Sequence, residues 1–408
     1  MDTDGAGAAS ATVAGQVSLA RLTLNDFRCY PSLKLQADTR PVVLTGPNGA
    51  GKTNILEAVS FLVPGRGLRG ARLSDITRAE SGEGTGSTGN GTGRNWTVAA
   101  ELQTPGGQVR IGTGRADVGG GQREKRLVHI DGEAVRSQAM LADHLSAQWL
   151  TPQMDRLFVE GPSARRRFLD RLVFGFDPAH AGRVSAYEHA MRERSRLLRH
   201  GQPDHVRAAD PEWLAVLENS MATKGVAVSA ARLQLALRLG EIADRNDPGA
   251  FPGASVAVSG DVEKWLGEGP ALRAEDRFRE ALLTSRRRDG ENGATSVGPH
   301  RSDLVVHHMD TGQAAALCST GEQKALLIAL ILANARLQAA ERGSLPLLLL
   351  DEVAAHLDER RRRALFQEIC DLGIQAWMTG TDTASFEPLA QTAQFFGVEN
   401  AAATPYQC

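Results

Sequence analysis

A chain of 408 residues has room for about two or three cores, and a net charge of −2 sets up no global field that would draw it to a polyanion. Any nucleic-acid contact must therefore rest on local patches. Cys29, Cys318, Cys370 and Cys408 include no C-x-x-C pair, which argues against zinc and a disulfide scaffold and fits a reducing, cytoplasmic setting; the longest apolar stretch, residues 345–350 with Pro346 inside, is too short for a bilayer.

Residues 1–17 are small and polar and read as a loose tail. Residues 19–24 and 33–36 alternate apolar and polar side chains, the period of half-buried antiparallel strands. Pro41-Val42-Val43-Leu44-Thr45 reads as a short buried strand. Gly46-Pro47-Asn48-Gly49-Ala50-Gly51-Lys52-Thr53 follows it, matches G-x-x-x-x-G-K-[ST] at every fixed position, and runs into a helix start at Asn54. The order matters physically. Glycines let successive backbone N–H groups face one concavity, and the helix N-terminus adds partial positive charge beneath it. Lys52 would reach β- and γ-phosphates and the Thr53 hydroxyl would hold Mg²⁺, so a bound nucleoside triphosphate is expected.

Residues 82–93 are dense in Gly, Ser and Thr and read as a surface loop; residues 96–102, 109–112 and 127–130 read as strands, with Asp131-Gly132 as a hairpin turn. From Ser163 the texture changes. Residues 165–174, 178–200, 212–246 and 271–288 are Arg- and Ala-rich and helical in period. Strand character returns at 303–306, followed by a helix at 322–337, a strand at 347–350, a helix at 359–371 and a strand at 376–379. The parsimonious architecture is an α/β nucleotide-binding lobe made from both ends of the chain, residues 18–160 plus 297–400. A mainly helical lobe, residues 161–296, is inserted, and residues 401–408 read as a second tail.

Two further segments belong with the phosphate loop. Leu347-Leu348-Leu349-Leu350-Asp351-Glu352 is an apolar strand ending in two carboxylates, where side chains of a parallel strand emerge into the ligand crevice. Asp351 suits Mg²⁺ held through its water shell, and Glu352 suits orienting and polarising a water. The bland alternative is a buried strand followed by a solvated cap. Cys318-Ser319-Thr320-Gly321-Glu322-Gln323-Lys324 opens an apolar helix and offers a second anion site, which two chains packed head to tail would use to close each other's loops. Its bland alternative is an ordinary N-cap.

Loop, carboxylate strand and Ser-Thr-Gly-Glu-Gln segment together resemble ABC-type ATPase heads, whose signature reads L-S-G-G-Q. Phe27-Arg28-Cys29-Tyr30, the trailing Asn54, Gly65-Arg66-Gly67-Leu68-Arg69, Leu150-Thr151-Pro152-Gln153, Arg165-Arg166-Arg167-Phe168-Leu169-Asp170 and Gly298-Pro299-His300-Arg301-Ser302-Asp303-Leu304 narrow the resemblance. Over residues 19–381 the chain resembles the RecF family of bacterial recombination mediators, relatives of the Rad50 and SMC heads. The resemblance implies an ABC-type P-loop ATPase head that binds ATP and Mg²⁺ through Gly46, Pro47, Asn48, Gly49, Ala50, Gly51, Lys52, Thr53 and Asn54. It implies Gln153 beside Mg²⁺ and the γ-phosphate, Ser319 and Gly321 reaching a partner's γ-phosphate, and Asp358 coupling the two sites. It further implies an ATP-dependent homodimer on duplex or gapped DNA, slow hydrolysis for release, RecO and RecR as partners, and RecA loading. Thr379-Gly380-Thr381 stands where transporters carry a switch histidine, which fits a slow ATPase used as a timer.

For DNA contact, Arg66, Arg69 and Arg72 lie just past the phosphate-loop helix and could present guanidiniums to a sugar-phosphate backbone. Runs at 165–167, at Arg192, Arg194, Arg196 and Arg199, at 286–288 and at 360–363 are more often solvated helix faces. His300 is expected to be structural, at the lobe junction. With 5% aromatics, backbone recognition is favoured over base stacking. The rival readings are a transporter ATPase subunit and an SMC- or Rad50-like tether. The tether needs arms far longer than residues 212–246, which reach only about 50 Å at the helical rise.

Overall fold

The computed structural model describes residues 15–78, 95–116, 125–200, 210–243 and 250–408; the loop read at 82–93 lies outside the described residues. β1 (Ser18–Phe27) and β2 (Tyr30–Gln36) form a hairpin whose alternation buries Leu22, Leu24, Leu33 and Leu35. β3 (Val42–Thr45) is buried along its whole length and feeds α1 (Lys52–Ser60). β4 (Thr97–Thr104), β5 (Gly107–Ala116), β6 (Lys125–Ile130) and β7 (Glu133–Ala134) extend the hairpin into an antiparallel sheet in the order β2-β1-β4-β5-β6-β7. Asp131 (φ 50°) and Gly132 (φ 90°) make the β6–β7 turn, the doubly positive geometry that favours this dipeptide.

β8 (Ala147–Leu150) is followed by α2 (Pro162–Phe174), α3 (His180–His200), α4 (Pro211–Ala243), β9 (Ala254–Ser259), α5 (Asp261–Glu268), α6 (Ala271–Asn292) and β10 (Asp303–His308). α7 (Thr320–Arg342), β11 (Leu347–Leu350), α8 (Glu359–Leu372), β12 (Ala376–Gly380), β13 (Gln394–Glu399) and β14 (Ala402–Tyr406) complete the chain. Residues 401–408, read as a tail, instead supply β14, antiparallel to β13 with Phe395 opposite Tyr406. Its small residues give no strand signal, and Pro405 is tolerated because β14 is an edge. β9 pairs with β10, so a two-stranded ladder joins residues from either side of position 296.

The second large sheet runs β14-β13-β3-β12-β11-β8, parallel except for β14. Its strands are apolar on both faces because both are covered. Leu347, Leu349 and Trp377 face the core shared with α1 and the antiparallel sheet; Leu348, Leu350 and Met378 face the core shared with α7, α8 and α2. Among the described residues no helix is long and apolar enough to cross a membrane.

The helical lobe is pinned by buried ion pairs. Arg194 is fully buried, donating from Nε to Glu218 at 2.9 Å, from Nη1 to Asp289 at 2.8 Å and from Nη2 to the Leu282 carbonyl at 2.7 Å. Arg286 closes on Glu218 at 2.6 Å, Arg232 grips Asp170 with two bonds of 2.8 Å, and Arg165 binds Asp303 at 2.7 Å. Arg194 is thus held inside the protein, where a guanidinium must be paired, and the half-buried Arg165 and Arg286 are engaged by carboxylates of the protein itself. Arg192 and Arg196, by contrast, are exposed and, among the described residues, pair locally with Glu188 and Glu193. His300 sits at the lobe junction, its Nδ1 bonded to the Tyr187 hydroxyl at 2.7 Å and its Nε2 to the Thr295 carbonyl at 2.9 Å. Burial pushes its pKa down to about 4, so the ring is neutral.

Removing Arg194 leaves Glu218 and Asp289 short of a cation in a buried site. Arg194→Ala should cost about 3–5 kcal/mol in denaturant unfolding, against less than about 0.5 for the exposed Arg192→Ala. Equal costs would sink this account of the lobe. His300 binds a proton in the unfolded chain below about pH 6.5 but only near pH 4 in the folded one. Stability should therefore fall as pH drops through that window, by up to about 1.4 kcal/mol per pH unit from this ring. In His300→Gln the pH-dependence of unfolding free energy between about pH 4.5 and 6 should flatten by roughly one proton, and identical slopes would refute the assignment.

Candidate nucleotide-binding site

β3 lies between β12 and β13, so the loop that follows it opens at the C-terminal edge of the parallel sheet, the position where α/β sheets take ligands. Gly46 and Gly51 are required by space as well as by φ, and Gly49 (φ 83°) by φ alone. A Cβ on Gly46 (φ 147°) would fall 2.2 Å from the Val398 carbonyl oxygen; one on Gly51 (φ 109°) would fall 2.6 Å from the Tyr30 hydroxyl and 2.7 Å from Cys29 Sγ.

The Phe27-Arg28-Cys29-Tyr30 turn therefore abuts the phosphate loop. Tyr30 donates to the Gly51 carbonyl at 3.1 Å and Asn54 Nδ2 donates to Cys29 Sγ at 3.2 Å. Beneath them Glu57 of α1 is fully buried, held by Arg28 through bonds of 2.8 and 2.7 Å and by Arg69 at 3.1 Å. Arg69 also donates to Asn54 at 2.9 Å. Of the three arginines read as DNA contacts, Arg69 is thus tied to α1, whereas Arg66 and Arg72 are exposed and make no ion pair among the described residues.

Lys52, at the first position of α1, turns its Nζ onto the carbonyls of Gly46 (2.6 Å) and Pro47 (2.9 Å). Burial lowers its pKa, opposed by Glu352 and Asp351 nearby. Thr53 Oγ1 donates to Asp351 Oδ1 at 2.8 Å, across 298 residues of sequence. Thr379 Oγ1 donates to the same oxygen at 2.8 Å and accepts the Glu352 N–H at 2.8 Å. Glu352 itself adopts φ 50°, uncommon for a residue with a side chain. A hydroxyl and a carboxylate in contact are hard oxygen donors of the kind that hold Mg²⁺ together with waters and phosphate oxygens, without a dedicated protein cage. Thr53 and Asp351 fit that ion.

The remaining expected contacts lie apart from this cluster. Gln153 is exposed on the 3₁₀ turn Pro152–Arg156 after β8, one strand beyond Asp351. Ser319 caps α7 in a capping box: its Oγ donates to Glu322 Oε2 at 2.7 Å and accepts the Glu322 N–H at 3.4 Å. The bland N-cap is therefore real, yet Ser319 and Gly321 are both exposed. Asp358 caps α8 by accepting the Arg361 N–H at 2.9 Å.

Two residues bridge these pieces in roles that the sequence did not suggest. Arg361 reaches the Gly321 carbonyl at 3.4 Å and Asp358 at 3.7 Å, tying the α7 and α8 N-termini together. Lys324 is buried on α7 with its Nζ 3.6 Å from Asp155, on the turn that carries Gln153. The usable signal for Lys324 was a lone cation followed by the apolar run Ala325-Leu326-Leu327-Ile328.

Comparison with known proteins gives the family and the fold. The pattern of the RecF/RecN/SMC N terminal domain matches residues 18–404. The chain is 48% identical over 381 residues to the DNA replication and repair protein RecF of Allorhizobium ampelinum, covering 93% of this chain and 96% of that one. It is 48% identical over 390 residues to the DNA replication and repair protein RecF of Agrobacterium fabrum, covering 95% and 99%. The solved recombination mediator protein RecF-ATP of the RecFOR pathway shares the fold, with a TM-score of 0.78 over 96% of this chain and 98% of that one at 19% identity. A family pattern spanning nearly the whole chain, on a P-loop α/β head with an inserted helical lobe, places this protein in the RecF family.

Proposed function

We propose that the chain is an ATP-dependent switch on DNA in recombinational repair and replication restart, closing as a dimer with ATP and opening on slow hydrolysis. The observation that carries this reading is the Thr53–Asp351 hydrogen bond, which joins the phosphate loop to the acidic strand as one site. Gly46 to Asn54 hold the triphosphate, and Lys52 exchanges the Gly46 and Pro47 carbonyls for phosphate oxygens. Thr53, Asp351 and Gln153 hold Mg²⁺, which supplies charge neutralisation across the phosphates. Glu352 orients and polarises the attacking water.

Ser319 and Gly321, exposed at the α7 N-terminus, complete the site of a second copy, and Asp358 couples the two sites. Arg66 and Arg72 contact the phosphate backbone of duplex or gapped DNA, where charge rather than base edges sets affinity. We infer RecO- and RecR-type mediators and RecA loading as partners from membership of the RecF family.

Glu352→Gln keeps shape and hydrogen bonding but removes the base. It should bind ATP, lose turnover by about a hundredfold or more, and accumulate as a dimer on gapped duplex in sedimentation. A monomeric Glu352→Gln protein at saturating ATP contradicts the assembled-site reading. Ser319→Arg should leave nucleotide affinity nearly intact while blocking closure, and Lys52→Ala should lose ATP binding. In an equal mixture of the two, one composite site takes both lesions and the other takes none, so part of the ATPase activity should return. If verified heterodimers show no recovery, the shared-site arrangement is wrong.

A further inference from the structure

We propose that Thr379 is the positioning residue of the hydrolytic site: its buried hydroxyl fixes Asp351 and Glu352 together. The inference rests on the ATPase reading above. Thr379 is fully buried near the tip of β12, and β12 is hydrogen-bonded on one side to β3 and on the other to β11. It therefore stands between the strand that launches the phosphate loop and the strand that ends in the carboxylates.

Its single hydroxyl proton goes to Asp351 Oδ1 at 2.8 Å, and its lone pair accepts the Glu352 N–H at 2.8 Å. β11 ends at Leu350, and the Asp351 N–H still reaches the neighbouring strand at the Leu150 carbonyl (2.8 Å). The Glu352 N–H has left that ladder and finds Thr379 instead. Glu352 also holds φ 50°, a conformation that persists only when its surroundings over-determine it. The hydroxyl of Thr379 is part of that determination, because releasing the N–H frees Glu352 to relax towards the ordinary negative-φ region.

The two ends of this bridge differ in what they do. Thr53 also donates to Asp351 Oδ1, and its hydroxyl is one that would hold Mg²⁺ in the nucleotide-bound reading. Thr379 is then the strand-borne donor left to orient Asp351 from behind. A β-branched residue suits the position, since its χ1 is restricted and its methyl fills the buried strand while the hydroxyl points one way. Because Thr379 reaches the reaction through the Asp351 carboxylate and the Glu352 backbone, it sets rate more than nucleotide affinity.

The test compares Thr379→Val, which keeps the shape and removes the hydroxyl, with Thr379→Ser, which keeps the hydroxyl and removes the methyl. The full-length protein is assayed with MgATP and gapped duplex. Thr379→Val should lose about 10- to 100-fold in kcat, keep nucleotide Kd within about threefold, and need more Mg²⁺ for half-maximal rate. Thr379→Ser should restore most of kcat. Thr379→Val added to Glu352→Gln should cause little further loss, since both act on one event. Wild-type kcat in Thr379→Val overturns the inference, as does an equal loss in Val and Ser variants, which marks the residue as packing only. A thermal shift with MgATP confirms that each variant is folded. Absence of turnover in the wild-type protein would instead bring down the ATPase reading and this inference with it.

Discussion

Two hydroxyls from distant parts of the chain, Thr53 and Thr379, meet on one oxygen of Asp351 at 2.8 Å each, and they can do so only because three parallel strands end at the same level. The register that sets this level is fixed by apolar residues, not by the polar tips. Trp377 pairs with Val42 and Leu350 with Met378, and successive side chains alternate between two separate cores. A slip of one residue would turn Leu348, Leu350 and Met378 out of one core and Leu347, Leu349 and Trp377 out of the other. Burial on both faces thus aligns polar groups to a tolerance that the few hydrogen bonds at the tips could not enforce alone.

The same logic runs through the charged residues. With 46 basic and 48 acidic side chains the chain is almost neutral overall, yet several of its carboxylates and guanidiniums are buried as matched sets. Glu57 under the phosphate loop draws in Arg28 and Arg69, so the β1–β2 turn and the Gly-rich segment after α1 are both referred to one point. In the helical lobe Glu218 and Asp289 do the equivalent for Arg194 and Arg286. Such sets are poor sources of net stability, but they tolerate the loss of a partner badly, and so they specify how helices are placed.

How legible this was depended on whether the information was local. Phosphate loop, carboxylate strand and long helices were readable because each is written in consecutive residues. β8 was not, since Gln148 interrupts its apolar run and is buried only because Asn334 of α7 meets its side chain. β14 was missed because Ala402, Ala403 and Pro405 are depleted in strands and leave only Thr404 and Tyr406 to signal one. Arg194 shows the limit most clearly. Arg192, Arg194 and Arg196 look alike in sequence, but at about 100° per residue the middle one points to the opposite side of the helix, here inward. Ser319 and Gly321 stand exposed at the α7 N-terminus, and Thr379 was legible only as part of the switch tripeptide, because its bond to Asp351 joins strands 28 residues apart.

The interleaved sheet also sets an order of events at the ribosome. β3 emerges early, but its neighbours β12 and β13 are encoded about 330 residues later, roughly 20 to 70 seconds of synthesis at ordinary bacterial rates. Until then the phosphate loop has neither Asp351 nor the Val398 carbonyl against which Gly46 is packed. The antiparallel sheet can cover α1 and the inserted lobe can gather its own ion pairs, while the central strand waits with both edges unpaired. Nucleotide can therefore stabilise the protein only after nearly the entire chain has been made, and the nascent head is most exposed to strand-edge association during that wait.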